Sequence, residues 1–89
     1  MNKHILDIYE TIMNEIENQG FTDTQVDISF LPRKSFSNQM IKFTVHNWDN
    51  GQHAYYVIQK KELEFKESRT MDILRYLLKG VNNYERSDA

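Results

Sequence analysis

Apolar residues at positions 5, 8, 9, 12, 13 and 16 (Ile5, Ile8, Tyr9, Ile12, Met13, Ile16) recur at three- and four-residue intervals and predict an amphipathic helix. Asn2 suits its N-cap. Gly20 suits the left-handed position just past its end, and Phe21 then stands where an apolar residue folds back on Ile16. The opposite side carries Asp7, Glu10, Asn14 and Glu17. A second helix is predicted from Met71, Ile73, Leu74, Leu77, Leu78 and Val81, with Ser68 or Thr70 as its cap. Gly80 either stops it or lies within it, and Tyr84 continues the spacing; residues 85–89 read as a frayed tail.

Between the helices the period changes to two. In residues 25–31, Val26, Ile28 and Phe30 alternate with Gln25, Asp27 and Ser29, which predicts a strand with one buried face. Pro32 ends it, because it has no N–H for a ladder, and residues 33–38 read as a loop. Residues 40–48 and 53–60 are strand-like and flank Asn50-Gly51, the preferred two-residue type I′ hairpin turn. Such a turn sets Asp49 opposite Gln52, and hence Val45 opposite Tyr56, Phe43 opposite Ile58, His46 opposite Tyr55 and Trp48 opposite His53. The alternation in residues 62–66 fits a short fourth strand or a strand extension.

The expected fold is therefore a single small α+β domain of order helix-strand-strand-strand-helix. Its sheet is antiparallel, with both helices on one face. The hairpin register sorts the side chains into two sets. Ile41, Phe43, Val45, Ala54, Tyr56 and Ile58 form the core face. Met40, Lys42, Thr44, His46, Trp48, His53, Tyr55, Val57 and Gln59 form a second face, rich in rings and with no obvious cover.

Composition narrows the function. The chain has 89 residues, no cysteine, and 11 basic against 13 acidic side chains for a net charge of −2. No disulfide or thiolate chemistry is available, which suits a reducing, cytoplasmic setting. The N-terminus meets Asp7 before any apolar run and does not read as a signal peptide, and no stretch approaches a membrane span. The balanced charge provides no bulk field for nucleic acid.

Candidate chemistry is sparse. His46, His53, Tyr55 and Asp49 lie near one another in the hairpin, and cross-strand Cβ atoms sit about 5 Å apart, so two imidazoles could share a metal. A zinc site needs three or four ligands, and Asp49 points to the opposite face in this register, so no metal is assigned. His4 reads as an exposed first-turn residue. Ser35, Ser37 and Ser68 lack a nucleophile elbow, Glu62 and Glu64 look solvated, and none of the three glycines belongs to a phosphate-binding loop. No catalytic residue, cofactor or small-molecule substrate is indicated.

The element order resembles that of double-stranded RNA-binding domains, whose last helix opens with lysines that meet phosphates. Here that position reads Lys66-Glu67-Ser68-Arg69-Thr70-Met71-Asp72, with carboxylates interleaved, so the likeness is one of order alone. A single-strand reader would instead use Trp48, Tyr55 and Lys42 as a stacking platform, with Arg33 and Lys34 at the phosphates. Protein binding fits better. Met40, Lys42, His46, Trp48, His53, Tyr55 and Val57 have the composition of interface anchors, and a monomer seldom leaves such a patch bare. It would be a homodimer seam, a docking site for another protein, or a surface covered by residues 32–38 through Phe36. Asp7, Glu10 and Glu17 form a secondary acidic surface suited to a basic partner. High Asn, Lys, Ile and Tyr usage resembles small accessory proteins of AT-rich bacteria and their phages. The expectation is a non-enzymatic intracellular protein that binds another protein, with an inhibitor carried by a mobile element as one form of it. Nucleic-acid binding is the alternative.

Overall fold

A computed structural model describes residues 3–31 and 39–83. Helix α1 (Lys3–Gln19) is followed by strands β1 (Thr24–Leu31), β2 (Met40–Asn47) and β3 (His53–Gln59), a single helical turn α2 (Lys60–Leu63), and helix α3 (Glu67–Asn82). The strands form one antiparallel sheet in the order β1-β2-β3, so the α+β fold and its element order are as expected. Asn2, Pro32, Phe36, Tyr84 and the 85–89 tail, to which expectations were attached, lie outside the described residues.

One core joins both helices to one sheet face. Ile5, Ile8, Ile12 and Ile16 from α1 meet Val26, Ile41, Phe43, Val45 and Ile58 from the sheet and Leu74, Leu78 and Val81 from α3. α1 packs on β1 and against α3, whereas α3 packs on both β2 and β3. α1 ends as its sequence predicts. Gly20 takes φ 71°, the Gly20 N–H donates to the Glu17 carbonyl and the Phe21 N–H to the Ile16 carbonyl. That pair of bonds is the Schellman closure, and it turns the chain directly into β1.

The hairpin departs from the two-residue turn. Its register pairs Val45 with Ala54, Phe43 with Tyr56, Thr44 with Tyr55 and His46 with His53. The expected pairs Val45–Tyr56, Phe43–Ile58, His46–Tyr55, Trp48–His53 and Asp49–Gln52 are therefore each displaced, and Trp48 and Asp49 belong to the loop. Only Gly51 has positive φ, 76°; Asn50 does not, which excludes a type I′ turn. The Gly51 N–H donates to the Asn47 carbonyl at 2.9 Å and the Asn47 N–H to the Gln52 carbonyl at 2.8 Å, closing a longer loop. The offset is even, so each side chain stays on its expected face.

Side-chain amides explain the longer loop. Asn47 is buried, 7% exposed, on the core face at the end of β2. Its Nδ2 donates to the Val81 carbonyl at 3.2 Å and to Asn82 Oδ1 at 3.0 Å, while its Oδ1 accepts from the Asp49 N–H at 2.9 Å. Asn50 Nδ2 donates to the same Val81 carbonyl at 2.9 Å, and Thr24 Oγ1 donates to Asn82 Oδ1 at 3.0 Å. Helix ends leave carbonyls without intrahelical partners, and here the hairpin loop supplies donors to the last turn of α3. A two-residue turn would pull Asn50 away from that helix.

Two further expectations are corrected. Residues 62–66 are not a fourth strand. Lys60–Leu63 make a helical turn that buries Leu63 completely and leaves Phe65 exposed, because a turn, unlike a strand, sends these two side chains in different directions. Neither Ser68 nor Thr70 caps α3, which starts at Glu67 behind Lys66 without a side-chain cap; Thr70 is instead fully buried. Gly80 lies inside α3, which runs on to Asn82.

Replacing Asn47 with Ala removes the donor to α3 and the acceptor for the loop together. Urea denaturation should show a loss of about 1–3 kcal/mol, the usual cost of leaving buried polar partners unpaired. A loss below about 0.5 kcal/mol would mean that the loop does not hold the helix.

Candidate interaction face

On the sheet face away from the helices, the two registers align four rows of side chains: Gln25–His46–His53, Asp27–Thr44–Tyr55, Ser29–Lys42–Val57 and Leu31–Met40–Gln59. Among the described residues no helix packs on this side. The expected face residues Met40, Lys42, His46, His53, Tyr55 and Val57 are brought together here, and Trp48 joins them from the loop.

The rings are held in place. Trp48 is 65% exposed, yet its Nε1 donates to Gln25 Oε1 at 2.8 Å and its ring lies 4.1 Å from that of His46, centroid to centroid, at a 50° tilt. Gln25 Nε2 in turn donates to Asp27 Oδ1 at 2.8 Å. His46 and His53 face each other across the strands with ring centroids 5.9 Å apart and planes 17° from parallel. Tyr55 is 60% exposed, and the Lys42 ammonium sits over its ring, 4.5 Å from the centroid. Lys42 and Tyr55 are diagonal neighbours, within reach of long side chains across strands. A continuous contact chain thus runs from Asp27 on β1 through Gln25, Trp48 and His46 to His53 on β3.

Two large aromatic side chains project on this side, Tyr55 from β3 and Trp48 from the loop after β2, each in contact with a neighbouring side chain. Carboxylates are confined to the β1 side, at Asp27, whereas Lys42, His46 and His53 occupy β2 and β3. Gln25 is the residue that sequence reading missed. Its place directly opposite His46 follows from the β1–β2 register and not from any local pattern.

Other candidates fall elsewhere. Asp49 does not join the imidazoles. It borders a polar hollow with Asp23, Asn50 and Asn82, and no group of three or more potential metal ligands occurs among the described residues. His4 is not simply exposed: it is half-buried, with Nδ1 3.4 Å from Glu67 Oε2. Glu10 and Glu17 on α1 are exposed and Asp7 half-buried. Arg33 and Lys34 lie outside the described residues. No helix among the described residues is long and apolar enough to cross a membrane. The chain matches no family model, no curated protein and no solved structure.

Replacing Gln25 with Ala should free the indole of Trp48 while leaving the fold intact. The indole N–H should then exchange with solvent faster than in the parent protein. Unchanged exchange would show that Gln25 does not hold the ring.

Proposed function

We propose that this protein is a non-enzymatic binding protein that works inside the cell and engages another protein through its open sheet face. The observation that carries this reading is the exposure of Trp48 and Tyr55, at 65% and 60%, while both are fixed by neighbours. Exposed aromatic side chains already held in one geometry are the usual energetic centre of a protein interface. The partner surface that fits is apolar or aromatic opposite Trp48 and Tyr55. Acidic groups would sit near Lys42, on its β3 side and away from Asp27. An accessory or inhibitory role, of the kind carried by small phage or mobile-element proteins, is compatible with such a surface.

Trp48→Ala and Tyr55→Ala should each weaken capture of a partner by about 2 kcal/mol or more, a roughly 30-fold or larger rise in Kd. The folded state should persist, because both side chains project from the surface. Titration calorimetry with the captured partner measures this, and unchanged affinity in both variants contradicts the reading. Binding of single- or double-stranded oligonucleotides at about 50 mM salt, where phosphate contacts are strongest, would transfer the same face to the nucleic-acid alternative.

A further inference from the structure

β3 is an edge strand without guards. Its sequence, HAYYVIQ, contains no Lys, Pro, Gly or carboxylate, the devices that normally keep a free edge from pairing. Its free hydrogen-bonding groups can be assigned. The bonds from Asn47 N–H to the Gln52 carbonyl and from Lys60 N–H to the Gln39 carbonyl flank β3 and pair even-numbered positions with β2. By alternation, the N–H and C=O groups of His53, Tyr55 and Val57 and the N–H of Gln59 point away from the sheet, whereas the Gln59 carbonyl opens α2 as its N-cap. Among the described residues no strand pairs with this edge.

The adjoining helix flank has matching character. Leu77, Gly80 and Tyr76 line a groove of ≈430 Å³ with His53 and Ala54, and Tyr76 is 77% exposed. Gly80 is inside α3 yet a Cβ there would meet nothing within 4 Å. Glycine is unfavourable in a helix interior, and the described residues of one copy give no packing reason for it. A close approach from outside does.

We infer that β3 pairs with β3 of a second copy, antiparallel and around a two-fold axis, to make a six-stranded sheet. Full overlap of the strands puts the axis at Tyr56. Tyr55 then pairs with Val57 of the second copy and His53 with its Gln59, so the free groups of Tyr55 and Val57 meet one another and the Gln59 N–H meets the His53 carbonyl. No charge opposes a like charge in this pairing.

Helix placement favours this edge over that of β1. α3 packs on both β2 and β3, so it lies inward of the β3 edge and leaves room for α3 of a second copy across the new pairing. α1 packs on the edge strand β1, so joining two β1 edges would bring the two α1 helices up against each other. Asp27 also stands at the middle of β1. In the β3 pairing, the segment that follows Gln59 of the second copy comes beside His53 and the groove. That segment carries Phe65, exposed at 83%, an apolar side chain for an apolar slot. The dimer would set two open faces side by side as one surface twice as wide.

Sedimentation equilibrium over about 1–100 μM tests the pairing with the full chain. The parent protein should be dimeric at the upper concentrations. Gly80→Glu and Phe65→Ser alter positions that are exposed in a single copy, and each should raise the dimer dissociation constant at least tenfold while circular dichroism stays that of the folded chain. A monomeric parent protein at 100 μM overturns the inference. So does a dimer that both variants leave intact.

Discussion

The Asn47 side chain joins three parts of the molecule that the chain alone would leave independent. Its amide nitrogen bonds to the last turn of α3, its oxygen organises the loop after β2, and its backbone closes that loop against Gln52. The position lies at the edge of the apolar core, nearly out of water, where unpaired amide groups would be costly and paired ones define a single arrangement. Thr24, Asn50 and Asn82 extend the same network, so the start of β1, the hairpin loop and the end of α3 meet at one polar junction. The register of β3, and with it the composition of each row on the open face, follows from where this junction places the loop.

That junction also marks where the sequence was legible and where it was not. The four isoleucines of α1 and the Gly20-Phe21 closure are local signals with no strong competitor, and they describe the helix well. The two-faced division of the hairpin survived because alternation depends only on parity. The register itself did not. Asn50-Gly51 is a strong signal for a tight turn, but the Asn50 amide has a partner in Val81, 31 residues away, that no short window contains. Residues 62–66 failed for another reason: two apolar residues separated by one polar residue fit a strand as well as a helical turn. Only the core vacancy that Leu63 fills decides between them.

The candidate face was readable as a set of residues and unreadable as an arrangement. Met40, Lys42, His46, His53, Tyr55 and Val57 share it because of alternation. The stack of Trp48 on His46, the facing of the two imidazoles and the bond from Trp48 to Gln25 all require the actual register. A ring-rich face that is simply exposed and one whose rings are fastened have different consequences for binding, since only the second avoids much of the ordering cost. The bare edge of β3 borders the same face, so the two surfaces would work together in a dimer: one edge joins the copies and the widened face remains for a partner.

The register is the quantity on which these readings converge, and nuclear Overhauser contacts between backbone Hα protons report it directly. In an antiparallel pair, residues facing each other without mutual hydrogen bonds bring their Cα atoms closest, to about 4.5 Å, and their Hα protons into contact. The hydrogen-bond alternation makes Thr44–Tyr55 and His46–His53 such pairs. Strong Hα–Hα contacts are expected between Thr44 and Tyr55 and between His46 and His53. Contacts between Thr44 and Val57, and between His46 and Tyr55, would instead establish the tight two-residue turn and contradict the loop that Asn47 holds.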